Sequence, residues 1–363
     1  MKVIFTFLSI LCLVIVPAQA WQFEPLNTFP TQADGAYGVS GTNLSDGRFV
    51  FWNGNAVYFQ QRLNANAFVQ VASGYTGDPG FIALSPDSSY LVLGEGYGGN
   101  LYKIDIDQPE NYTESSILLN ISHYDGIFLT QNLLLLDIGR PDWSGTDLVV
   151  VDISGTKSFD NEPIAVVTKS SAASTDKDVI VEKPLFSYSA SLAHDPIADI
   201  VYAFDGNAQE LRYFDRQALV DAYEDSTTLD WETDGVLIGA PGDFFTAGVG
   251  SVMVDGNLLI GGAMGFFQPG GIQVVDPMLN NPSQAYVITV LDPAGTQGFY
   301  GVIYNPVTDT IIAIDDGVAY ITRGALQPLP VAGVFGMIIA LGCLIWLGRN
   351  RIRQQESSLN TSS

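Results

Sequence analysis

FIALSPDSSYLVLGEGYGGNLYKIDI, residues 81–106, divides into three apolar or alternating runs separated by two clusters of turn formers. Phe81–Leu84, Tyr90–Leu93 and Leu101–Ile106 are too short for helices and carry the alternation of strands. Ser85-Pro86-Asp87 makes the first turn: Pro fixes φ and gives up an N–H where none is needed, and the flanking Ser and Asp side chains bond back to the local backbone. Gly98-Gly99-Asn100 makes the second.

The same phrase returns. SLAHDPIADIVYAFDGNAQELRYFD (191–215) and YGVIYNPVTDTIIAIDDGVAYIT (300–322) repeat strand, x-Pro turn, strand, Gly-containing turn, strand, and Pro86, Pro196 and Pro306 stand 110 residues apart. A weaker copy starts the region (37–59), and two more fill the gaps (124–153 and 250–277). Six copies averaging about 50 residues, each of several short strands, are the mark of an all-β propeller, because one such unit cannot bury both faces except against radial neighbours. The expectation is a β-propeller of six blades, with seven as the alternative, over residues 21–326. Insertions blur the period. DRQALVDAYED (215–225) reads as a short helix capped by Asp215. TDGVLIG (233–239) reads as that blade's outer strand, and KSSAASTDKDVIVEKP (169–184) as a polar excursion. WQFEPLNTFP (21–30) is expected to close the ring by adding a strand to the last blade.

On these repeats, with SPDSSYLVLGEGYGGNLYKIDI the best match, residues 35–325 resemble the superfamily of exported propellers with YVTN-type and lactonase-like repeats. The resemblance implies the fold; propellers host many unrelated functions.

The two ends are of another kind. MKVIFTFLSILCLVIVPAQA (1–20) has a basic start, an apolar stretch and a small-x-small site, and reads as a signal peptide. Residues 331–348 are uncharged and long enough to cross a bilayer, and Arg349, Arg351 and Arg353 would hold residues 349–363 as a basic cytoplasmic tail. Pro328-Leu329-Pro330, the apolar run and the arginines resemble the C-terminal sorting signals of exosortase substrates, the PEP-CTERM group, which implies a sorting transpeptidase cutting at 328–330. A permanent anchor is the alternative, since the tail runs ten residues past Arg353. The expected location is therefore the outer side of a membrane, with the domain anchored through 331–348 or released to the surface.

Residues 21–327 carry 11 Lys and Arg against 38 Asp and Glu, a net charge of −27. Such a field repels nucleic acid. Both cysteines, Cys12 and Cys343, lie in the end segments, so the domain is held by its core without disulfides. With two histidines in the chain, a three-histidine metal site is excluded. There is no Gly-x-Ser-x-Gly, phosphate loop or dinucleotide fingerprint.

Propellers bind ligands where the loops entering each inner strand meet the turns between second and third strands. Those positions hold Tyr37, Glu95, Tyr97, His123, Tyr124, Asp125, Asp142, Trp143, Asp205, Tyr300 and Asp315, a set suited to carbohydrate or peptide through stacking and carboxylate hydrogen bonds. The competing reading makes the Gly-Tyr pairs packing and the Asp residues turn caps. His123 precedes such a loop and is a candidate base. His194 sits in a repeat turn, where a structural role is expected. No cofactor is expected, but Glu95, Asp142 and Asp205 could offer oxygen ligands to a Ca²⁺. Asn43, Asn111 and Asn120 begin glycosylation sequons. The function read from all this is a non-catalytic binding, adhesion or matrix protein, exported and membrane-anchored or surface-sorted. The alternative is a divalent-cation-dependent propeller hydrolase or lactonase.

Overall fold

The structure is a computed structural model. It describes residues 23–26, 39–109, 112–115, 123–139, 146–154, 164–168, 190–239, 244–263, 270–277, 286–289, 301–315 and 318–322, apart from 64, 76, 98–99, 166, 207 and 245–246. The expected signal peptide, the membrane segment and the 169–184 excursion lie outside the described residues. Among the described residues no helix is long and apolar enough to cross a membrane.

The first described strand is β1 (Phe23–Pro25), and four-stranded antiparallel sheets follow in succession. The first is β2 (Ser40–Asn43), β3 (Phe49–Trp52), β4 (Ala56–Gln60) and β5 (Phe68–Ser73). The second is β6 (Asp78–Leu84), β7 (Tyr90–Tyr97), β8 (Leu101–Asp105) and β9 (Tyr112–Ser115). The third is β10 (His123–Phe128), β11 (Leu133–Gly139), β12 (Thr146–Asp152) and β13 (Ile164–Ala165). After β14 (Val167–Thr168) comes the fourth: β15 (Ala190–Asp195), β16 (Ile200–Asp205) and β17 (Glu210–Asp215). Helix α1 (Arg216–Glu224) and β18 (Leu229–Asp230) interrupt it before its outer strand β19 (Val236–Ile238). The fifth is β20 (Ala247–Val254), β21 (Asn257–Ala263), β22 (Gly270–Val275) and β23 (Tyr286–Thr289). The sixth is β24 (Gly301–Asn305), β25 (Thr310–Asp315) and β26 (Val318–Thr322), and its outer strand is β1.

The first strands of these sheets adjoin in a circle: β2 meets β6, then β10, β15, β20 and β24, and β24 meets β2 again. This is a β-propeller, and all six repeat copies fall on the first three strands of a blade. The second strands are buried on both sides, which is why FVFW (49–52) and LLLL (133–136) read as unbroken apolar runs. The core is the set of wedges between blades. Trp52, Leu91, Leu93 and Tyr102 fill the wedge between the first and second, and Phe204, Leu211, Phe244 and Ile260 that between the fourth and fifth.

The x-Pro turns join first to second strands, as their chemistry requires. Ser85 Oγ accepts from the Ser89 and Tyr90 amides (both 3.1 Å), Asp195 Oδ1 from Ile197 N (2.8 Å) and Asn305 Oδ1 from Val307 N (3.0 Å). Each turn then takes one residue left-handed: Ser88 (φ 62°), Asp199 (57°) and Asp309 (50°). Helix α1 is capped as expected, with Asp215 Oδ1 accepting from Ala218 N at 2.9 Å, and its Leu219, Val220 and Ala222 are buried.

Ring closure also follows the sequence reading. Phe23–Pro25 pairs antiparallel with Tyr320–Thr322, and Leu26 N donates to Ala319 O at 2.8 Å. Two side-chain amides stitch the same seam: Asn43 Nδ2 donates to Tyr304 O, and Asn305 Nδ2 to Gly47 O. Asn43 is thus a seam residue whose amide nitrogen is engaged, and its sequon offers no free acceptor in the folded chain. Asn111 and Asn120 lie outside the described residues.

Candidate functional site in the central channel

The inner strands enclose a cavity of about 850 Å³, lined by parts of β2, β6, β10, β15, β20 and β24. Its two ends differ. Where the inner strands begin, three of the described ones break register: β6 between Asp78 and Phe81, β10 between His123 and Asp125, and β20 between Gly248 and Ser251. Bulges re-aim side chains and gather beside functional sites. Where the inner strands end lie the proline turns, and the lining there includes Pro86, Leu129, Gln131, His194, Asp199 and Arg216.

Asp125 is the carboxylate at the first end. The shift between His123 and Asp125 sets it opposite Asp137 of β11, and it lines the channel. Its Oδ1 accepts from Gly126 N (2.8 Å) and its Oδ2 from Leu192 N of the next blade (2.7 Å). Burial pushes its pKa up to about 7, against the pull of those two amides and with help from the Asp137 charge. The result is a carboxyl poised near neutrality on a channel wall, which is the setting of a general acid–base group.

Other candidates fall elsewhere. His123 has no exposed surface and is absent from the channel lining. Its Nδ1 lies 3.2 Å from Glu95 O, so that nitrogen carries the proton, and burial lowers its pKa to about 4. Glu95 is 2 % exposed, and its carboxylate accepts from Tyr102 OH at 2.6 Å and from Asn100 N at 3.3 Å. Asp205 is fully buried and accepts from Ala208 N at 3.1 Å as the cap of its turn. All three make hydrogen bonds within the seams and turns of the blades. Tyr124 is buried against Gly139 and touches the channel. Tyr97 and Asp315 sit at the ends of β7 and β25. Tyr37, Asp142, Trp143 and Tyr300 lie outside the described residues.

Asp137 was missed in the sequence. It is fully buried, and the signal was there: one charge inside the apolar run LLLLDI. Asp199 and Arg216 were missed as well, one in a turn and one at a helix start.

Of the three carboxylates that could offer oxygen to a Ca²⁺, Asp142 lies outside the described residues. Among the described residues no three His, Cys, Asp or Glu side chains gather as a metal site, and Glu95 and Asp205 face their own hydrogen-bond partners.

No protein-family model matches the sequence, and no curated protein matches it either. Solved structures do resemble it. A gluconolactonase from Xanthomonas campestris aligns at 11 % identity over 86 % of this chain and 92 % of its own, with a TM-score of 0.55. The calcium-binding protein regucalcin from Agrobacterium tumefaciens aligns at 13 % identity over 85 % and 97 %, TM-score 0.53. The β-propeller domain of Cps50 (Swd1) from Myceliophteria thermophila aligns at 9 % identity over 84 % and 100 %, TM-score 0.52. At such identities the shared property is the fold.

Proposed function

We propose that this chain is a six-bladed propeller hydrolase acting on small cyclic esters in its central channel, with Asp125 as the acid–base group. The observation that carries the reading is Asp125 itself, a carboxyl poised near pH 7 and turned by a strand bulge onto the wall of a cavity of about 850 Å³. That volume suits a small molecule. Fold likeness to a gluconolactonase agrees with the substrate class. Ionised Asp125 would take a proton from water as its oxygen attacks the lactone carbonyl. The same proton then passes to the ring oxygen as the acyl C–O bond breaks, leaving a hydroxy acid. No step is routed through a metal.

The apolar ends supply the address in this proposal: residues 1–20 direct export, 331–348 hold the membrane, and 328–330 are where a sorting transpeptidase would cut. The mass of the mature protein from its native cells checks that part, since an intact C-terminus means a permanent anchor.

The activity is tested by hydrolysis of a panel of γ- and δ-lactones from pH 5 to 9. Turnover should rise through pH 7 and fall at least about 100-fold in Asp125→Asn, the usual scale of a general base. Turnover unchanged in that variant would remove Asp125 from the chemistry. No turnover of any lactone, with a carbohydrate or protein ligand bound instead, would favour the non-catalytic binding and adhesion reading.

A further inference from the structure

The proline-turn end of the channel holds a second arrangement with chemistry in it, separate from Asp125. Ala190, Leu192 and His194 alternate along β15, and both Leu192 and His194 line the channel. His194 Nε2 is buried without a hydrogen bond and lies 3.5 Å from Asp199 Oδ1, a contact of ion-pair range. The imidazole as a whole is 29 % exposed, and its Nδ1 has no hydrogen-bond partner among the described residues. The carboxylate beside it is itself fixed. Arg216, the first residue of α1, places Nε on Asp199 Oδ1 and Nη2 on Oδ2 (3.2 Å), and its Nη1 donates to Leu129 O of the neighbouring blade at 2.8 Å. Those bonds, first of all the one from Arg216, hold the Asp199 carboxyl below the usual range, so it is ionised. An ionised carboxylate facing one imidazole nitrogen selects the tautomer that carries its proton there. On that ground the proton belongs on Nε2 of His194 and the lone pair on Nδ1, which makes no hydrogen bond among the described residues.

We infer that His194 is a second acid–base group of the channel, set in its Nε2–H tautomer by Asp199 and Arg216, and that it serves hydrolysis of small uncharged esters reaching the proline-turn end. Nδ1 accepts a proton from water as the water oxygen bonds to the ester carbonyl carbon. The acyl C–O bond then breaks, the alkoxide takes that proton from the imidazolium, and acid and alcohol leave with His194 neutral again. Uncharged esters are the class selected because both channel ends present carboxylates, Asp125 and Asp199, within a chain of net charge −24. Asp199 and Arg216 are positioning residues: they act through the imidazole. The inference does not depend on lactone turnover at Asp125.

The chain has two histidines, which makes the test clean. In protein labelled with ¹⁵N in the imidazole ring and held at pH 8, one histidine should appear as Nδ1–H (His123, donating to Glu95 O) and the other as Nε2–H, with the second signal absent in His194→Gln. Asp199→Gly, which tolerates the positive φ at that position, should lose the Nε2–H preference, and Asp199→Asn, which keeps an acceptor oxygen, should retain it. With p-nitrophenyl acetate as probe, turnover should fall at least about 100-fold in His194→Gln and persist in His123→Gln. His194 found as Nδ1–H in the wild-type protein would overturn the geometry. An unchanged rate in His194→Gln would overturn the chemistry.

Discussion

Two groups at the start of β10, buried His123 and half-buried Asp125, titrate in opposite senses, and the wild-type protein should hide both. An aspartate has an ordinary pKa near 4 and a histidine one near 6.5 in an unfolded chain. In the fold Asp125 is raised to about 7 and His123 lowered to about 4. Between pH 4 and 6.5 the unfolded state has lost the Asp125 proton that the native state keeps, so this group makes stability fall as pH rises. Over the same interval the unfolded state binds a His123 proton that the native state refuses, so that group makes stability rise with pH. Each slope is about 1.4 kcal/mol per pH unit, and they cancel. The groups around them are Asp137 opposite Asp125, and Glu95, which meets His123 through its backbone carbonyl. Asp87 and Asp199 have lowered values and act below pH 4. Urea unfolding at pH 4.5, 5.5 and 6.5 measures the outcome. Relative to wild type, Asp125→Asn should gain stability with rising pH at about 1.4 kcal/mol per unit, and His123→Gln should lose it at about the same rate. The double variant should run parallel to wild type. Single variants that both run parallel to wild type would refute the reasoning, because neither group would then change protonation between the states.

The seam beside these groups gives a steric test. A Cβ at Gly80 would lie 1.9 Å from His123 O and 2.8 Å from Gly94 O, both backbone atoms with no rotamer to yield, so Gly80→Ala should lose about 3 kcal/mol in denaturant unfolding. Gly96→Ala, whose nearest contact would be 3.5 Å, should stay within about 1 kcal/mol of wild type. Asp215→Ala removes the cap of α1 and should cost about 1 kcal/mol by the same assay. Asn305→Ala loses both the turn acceptor and the bond to Gly47 O across the closing seam, and should cost about 2–3 kcal/mol.

What the sequence made legible was whatever is settled by neighbours in the chain. The turns SPDSSY, DPIADI and NPVTDT repeat because their first side chain bonds amides two to five residues on, so they were readable as strand links before any pairing was known. The cap at Asp215 is local in the same way, while the outer strand in TDGVLIG was readable from its apolar run although it pairs with β17 across the helix. FEP was readable as the closing strand because a ring needs a fourth strand for its last blade, and it pairs with Tyr320–Thr322. The site was less legible, because its groups are defined across blades. Asp125 acquires its character from Leu192 N and Asp137, 67 and 12 residues away in sequence. Glu95, a carboxylate among glycines in sequence, accepts from Tyr102 seven residues on. His194 was read through the turn it adjoins, although its partners come from the far side of that turn and from the helix after β17.

The groups proposed for chemistry are also the groups that tie blades together. Asp125 joins the third blade to the fourth through Leu192 N, and Arg216 joins the fourth back to the third through Leu129 O. One seam therefore carries a polar tie at each end of the channel, and both ties involve the acid–base sites. In a cysteine-free domain no covalent link backs them up. Loss of activity in Asp125→Asn or Arg216→Gln is then ambiguous on its own, because either change also loosens the seam. His194→Gln is the informative substitution: His194 makes no bond to the third blade among the described residues, so it removes a proton acceptor while leaving both ties in place. A rate lost in His194→Gln with an unchanged unfolding midpoint separates chemistry from architecture in a way that the other two positions do not allow.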